Sequence, residues 1–142
     1  MSGKCPESIS CVALDFQRAL FERFRPEVER ALRHAGDTMT YEDLWGEVDK
    51  TMMQAWLAAD GRGCMFTEIV DYPRLRAVRV VIVAGHLKSC LTFKARVHEW
   101  ALQIGASRIE WMGRRGWLRA VAWPWRSITM GWATIDDLAK VK

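Results

Sequence analysis

A chain of 142 residues, half hydrophobic and 27% charged, has the size and balance of one globular domain built on one core. Its formal charge of +4 is mild but uneven, with eight Lys or Arg between His86 and Ile135 against two acids, Glu99 and Glu110. The longest apolar run, Val80 to Ala84, is too short to cross a bilayer, which excludes a membrane-spanning helix. The opening Met1 to Pro6 carries no apolar leader, so no secretory signal is expected. Cys5, Cys11, Cys64 and Cys90 have neither C-x-x-C nor zinc-ligand spacing. They predict free thiols in a reducing compartment and no metal site.

In chain order, residues 1–8 read as a loose arm and 9–142 as a single domain. Within it, 9–51 is helical, and 52–135 holds a sheet with a central helix over 88–104. Val12, Phe16, Leu20 and Phe24 recur every fourth residue and predict one helix face. Pro26 breaks that helix and suits the first turn of another, whose apolar side is Val28, Ala31 and Leu32 and whose stop is Gly36. Thr40 is placed to cap a third helix, with Glu42 and Asp43 at its positive end and Leu44, Trp45 and Val48 on its buried side.

Strands are predicted over Gln54 to Ala59, Cys64 to Val70 and Leu75 to Ala84. The first two are separated by the turn Asp60-Gly61-Arg62-Gly63. The third strand turns continuously apolar, as a strand does at the centre of a sheet. Phe93, Val97, Trp100, Ala101 and Ile104 then give the strongest helical stripe, ended by Gly105. Arg108 to Met112 reads as a strand, and Gly113 to Trp117 as a turn opening one helical turn. Val121 to Trp132 reads as a strand broken at Pro124, and Asp136 to Lys142 as a polar tail or short helix. The result is an α/β (α+β) domain with a mixed, mainly antiparallel sheet, a crossover helix and preceding N-terminal helices.

From about Gln54 to Ala133 this order resembles the central and C-terminal part of the GNAT acetyltransferase fold. The matching pieces are Arg79 to Ala84, the helix end Trp100 to Ala106, the strand Arg108 to Met112, and Gly116-Trp117. The resemblance implies a GNAT-like sheet, but two functional parts of the family are missing. Its phosphate loop, Arg/Gln-x-x-Gly-x-Gly/Ala, is replaced by Gly85-His86-Leu87-Lys88-Ser89-Cys90, too bulky for backbone amides to cradle a pyrophosphate. Its frequent tyrosine acid has no counterpart, since the two tyrosines are Tyr41 and Tyr72. The wording of Thr38 to Leu44, Phe66 to Ile69, Val97 to Ala101 and Gly113 to Trp117 is similar to small GNAT-like proteins of tailed bacteriophages. Some relatives of that type are virion components.

The resemblance therefore implies a non-enzymatic virion protein without cofactor, contacting other virion proteins in multiple copies and present in host cytoplasm during assembly. Its interface residues would be Arg114, Arg115, Trp117, Arg119, Trp123 and Trp125, since Trp and Arg are enriched at interface hot spots. The same residues could instead pack as core, with arginine stems over the rings. The alternative is a divergent acyl-CoA N-acetyltransferase, with Gly85 and Lys88 holding acetyl-CoA and Glu68 or His86 as base. A weaker alternative is a nucleic-acid-binding accessory protein that stacks bases on the tryptophans. Asp71 and Glu110 are further candidate bases. Against the catalytic reading, Glu68 and Glu110 could face solvent or pair with Arg79 or Arg108, and Cys90, though near a helix N-terminus, is best read as a buried structural thiol.

Overall fold

The computed structural model describes residues 14–141. The arm at 1–8, Val12, Cys5 and Cys11 lie outside the described residues, as does the side chain of Phe16. Helix α1 (Leu14–Phe21) runs through a single 3-10 turn, Glu22–Phe24, into α2 (Arg25–His34), with Pro26 in the first turn. That turn advances the chain three residues per turn instead of 3.6 and rotates the apolar face. The buried row is therefore Phe21, Phe24, Val28 and Leu32, while Leu20 is 39% exposed. The fourfold spacing through Leu20 is corrected accordingly. Helix α3 (Tyr41–Asp49) opens with a capping box, Thr40 accepting from Asp43 N–H and Asp43 accepting from Thr40 N–H.

Strands β1 (Met53–Leu57), β2 (Gly63–Asp71), β3 (Arg76–Gly85) and β4 (Arg108–Trp111) form one sheet in the order β1-β2-β3-β4. The first two pairings are antiparallel and β3-β4 is parallel. The crossover carries α4 (Leu87–Leu91) and α5 (Phe93–Gln103), so the expected helix over 88–104 is broken at Thr92, whose hydroxyl donates to Ser89 O at 2.6 Å.

A β-bulge explains the unbroken apolar run of β3. Phe66 faces Ile82 and Thr67 faces Val80, leaving Val81 as the extra residue. Before the bulge Val78 and Val80 pack on the α5 side. After it Val83 takes that side, and Ile82 and Ala84 turn to the N-terminal helices. Both faces of the central strand are thus apolar by register.

The sheet accordingly separates two cores. One joins Phe21, Phe24, Tyr41, Leu44 and Trp45 to Ala55 and Phe66. The other joins Trp56, Met65 and Val80 to Phe93, Val97 and Trp100. Inside the second, the Trp56 indole donates to Thr67 Oγ1 at 2.9 Å and the Thr67 hydroxyl donates to Gln54 Oε1 at 2.8 Å, so the buried polar atoms are paired.

Beyond β4 comes α6 (Arg115–Ala120), followed by irregular chain and α7 (Ile135–Ala139). The strand expected over Val121 to Trp132 does not form. Trp123 N–H donates to Val121 O and Trp125 N–H to Trp123 O, two successive three-residue turns that use the backbone locally, and Pro124 has no N–H for a ladder. Among the described residues, no helix is long and apolar enough to cross a membrane.

Candidate functional site

The segment after β3 is the place to look for an anion-binding loop. Gly85 has φ +113°, and a Cβ there would lie 2.5 Å from Arg62 O. The glycine is therefore demanded by the close crossing with the start of β2. Its N–H donates to Glu27 Oε2 at 2.8 Å, a contact between α2 and the strand end. The next amide, of His86, donates to Arg62 O at 2.8 Å. Both amides thus have acceptors within the chain. The side chains of His86 and Lys88 are exposed.

Glu68, the other expected base, stands at the far end of the sheet. It faces Arg79 across the strands, whereas Gly85 faces Gly63. At about 3.3 Å per residue, Glu68 and His86 are separated by roughly 20 Å and do not converge. Arg79 binds Glu68 at 3.1 Å and Glu110 at 3.2 Å, and donates to Tyr72 Oη at 3.0 Å. Arg108 completes the group, 2.7 Å from Glu110, and the Tyr72 hydroxyl donates to the same carboxylate at 2.9 Å. Burial acts to raise the Glu110 pKa, but the hydrogen bonds from Tyr72, Arg108 and Arg79 outweigh it and hold the carboxyl below its ordinary value. A carboxylate so held is a poor proton acceptor at neutral pH. Asp71 is paired with Arg76 at 2.6 Å and is likewise held low by that hydrogen bond.

Cys64 and Cys90 are buried free thiols. Burial pushes the Cys90 thiol up to about 11, and its S–H donates to Ala84 O, which makes it a structural group rather than a nucleophile. His34 and His98 are exposed. Among the described residues, no group of three His, Cys, Asp or Glu could hold a metal ion.

The Arg/Trp stretch divides by side-chain type. Trp117 and Trp123 are half-buried against the second core, Trp117 beside Trp111 with ring centroids 6.2 Å apart and Trp123 beside Trp125 at 5.5 Å. Lys94 sits over the Trp123 ring at 5.8 Å. Arg114, Arg115 and Arg119 are exposed, and among the described residues no acid pairs with them.

Trp111 and Lys94 belong to this surface but carry no local sequence signal, because strand pairing and helix packing bring them there. β4 stops at Trp111 while β3 continues to Gly85, so the sheet opens between them, and Val83, Trp111 and Trp117 line hollows on both sides of the opening. The larger hollow is apolar and also lined by Met65, Phe93 and Val97.

From Arg126 to Val141 every residue is exposed. Ile128 is 95% exposed, Trp132 68% and Ile135 80%, with Met130, Leu138 and Val141 also open. Single exposed apolar residues are ordinary, whereas these six follow one another within one segment.

No family model matches the chain, and no curated protein matches it. Among solved structures it is similar to TTHA1254 from Thermus thermophilus. A mutant form of that protein aligns with TM-score 0.54 and 15% identity over 78% of this chain and 92% of that one. The wild type aligns with TM-score 0.49 and 13% identity over the same shares. The first likeness extends to the general α+β fold.

Proposed function

We propose that the chain is a non-enzymatic protein on a degenerate GNAT-like fold, acting through protein–protein contacts in the virion of a tailed phage. The observation that carries the reading is the Gly85 amide bonded to Glu27 at 2.8 Å. Where an acetyltransferase of this type would offer amides to a pyrophosphate, this chain sets its own carboxylate, and a negative charge there repels a second anion. The supporting geometry is the sheet itself, two antiparallel pairings followed by a parallel crossover, and the exposed apolar arm after Arg126. The separation of Glu68 from His86 and the ion pairs on Glu68 and Glu110 leave the acyltransferase alternative without a poised base. The virion assignment rests on the resemblance of the sequence to phage proteins.

The test is the melting temperature of the purified protein with and without millimolar acetyl-CoA. A ligand of the folded state raises it in proportion to occupancy. The expected result is no shift. An upward shift that Lys88→Glu abolishes would replace this reading with the acyl-CoA one. Affinity for DNA or RNA falling steeply with salt would replace it with the nucleic-acid reading. Protein mass spectrometry on purified particles tests the virion assignment directly, and its expected result is this chain among the particle proteins.

A further inference from the structure

Four features of the second half of the chain fit one another. β4 ends the sheet, and among the described residues its outer edge has no strand partner. Its Ile109 and Trp111 lie on the α5 side, and its Arg108 and Glu110 on the opposite side with Tyr72 and Arg79. Residues 127–133, Ser-Ile-Thr-Met-Gly-Trp-Ala, alternate large apolar with small or polar side chains, the period of a half-buried strand. Among the described residues they are nevertheless without regular secondary structure, exposed and without a strand partner.

Resting on the protein–protein reading above, we infer that residues 127–133 add as a strand to the β4 edge of a second copy, reciprocally, to form a twofold dimer. In that pairing Ile128, Met130 and Trp132 continue the apolar layer of Ile109 and Trp111 and close the hollow beside Phe93 and Val97. Thr129 and Gly131 fall on the polar side, beside Arg108 and Glu110. A strand parallel to β4 brings α7 to the end of the strand where α6 begins. There Asp136 and Asp137 in the first turn of α7 meet Arg114, Arg115 and Arg119. Among the described residues those arginines have no acid of their own copy, and the Asp137 side chain pairs only with Lys140 within its own turn, at 3.8 Å.

This charge match is what selects a second copy as the occupant. Each copy contributes both halves of the interface, as an isologous contact requires. Sixteen arm residues from Arg126 to Val141, added to the receiving edge, reach the roughly 20–30 residues per partner of a stable interface. Such pairing also covers an open strand edge that would otherwise invite aggregation.

The experiment is analytical ultracentrifugation of the purified full chain at micromolar concentrations, with hydrogen exchange read by mass spectrometry. The expected species has twice the monomer mass, with slowed exchange over both 127–133 and 108–111. The double variant Ile128→Asp, Met130→Asp changes only exposed side chains of the arm and should give a folded monomer in which that protection is lost. Arg115→Glu with Arg119→Glu should weaken the dimer at least tenfold, and adding Asp136→Arg with Asp137→Arg should restore it.

A wild-type chain that stays monomeric overturns the inference, whether its arm is bare, protected on its own β4 edge, or bound only when lipid vesicles are added. So does a dimer that survives the double variant. A monomer without an acetyl-CoA shift leaves the protein–protein reading standing. A dimer with such a shift defeats that reading and keeps the exchange.

Discussion

At the residue scale, Glu110 shows how the sheet converts candidate catalytic groups into structural ones. Its carboxylate accepts from Tyr72 and Arg108 and bonds Arg79, and its pKa in the folded chain lies below its unfolded value. A depressed carboxylate contributes stability that is fully present above the unfolded pKa and is lost as pH falls through the folded one. Replacing Glu110 with Gln should therefore cost about 1–3 kcal/mol near neutral pH. The gap in melting temperature between the two proteins should shrink as pH falls below about 4.5. Other low-pKa acids, such as Asp71 and Asp60, titrate in both proteins and drop out of the difference. A gap that stays constant down to about pH 3 would mean that Glu110 acts through shape and not charge. This pairing was legible in the sequence because cross-strand partners follow from strand register. The Glu27–Gly85 bond was not, because it joins residues 58 apart that only the packing of α2 on β3 brings together.

At the element scale, helix ends were the most legible feature, because their chemistry is local. Pro26, Gly36, Thr40 and Gly105 all stand where capping rules place them. The phase of the first helix was not legible, since a single 3-10 turn shifted the buried row from Leu20 to Phe21. The segment Val121 to Trp132 misled because tryptophan and isoleucine suit strands, while the backbone around Pro124 folds on itself. Three helices end with the same hydrogen bond, in which the second residue after the cap reaches back to the third residue from the helix end. The bonds are Asp37 N–H to Leu32 O, Met52 N–H to Glu47 O and Ala106 N–H to Ala101 O. This motif places one residue in the left-handed region. α2 and α5 use Gly36 and Gly105, but α3 uses Thr51 at φ +61°. A β-branched residue is strained there, so Thr51→Gly should stabilise the protein by about 1 kcal/mol in chemical denaturation with an unchanged slope. A loss of stability would show that the Thr51 side chain contributes more than its backbone costs.

At the scale of the whole molecule, the division of labour follows from where burial is spent. The central strands carry apolar side chains on both faces, so neither core can be exposed without stripping a face from the other's sheet. The β4 end and everything after Arg126 lie outside that mutual support, so the proposed strand exchange would draw on that region without weakening the body. Two cores on one sheet also make a definite thermodynamic claim. If α1 to α3 were a separable unit, Trp45 would lose its surroundings before Trp56 and Trp100 lost theirs. Because Phe66 and Ile82 pack on the helices while their neighbours Met65 and Val83 pack toward α5, the two must fail together. Unfolding in urea at one protein concentration should therefore be a single transition, with tryptophan fluorescence and far-UV circular dichroism giving superimposable curves. A fluorescence change preceding the loss of ellipticity, removed by Trp45→Phe and not by Trp100→Phe, would show that the helical layer detaches first and that the sheet stands without it.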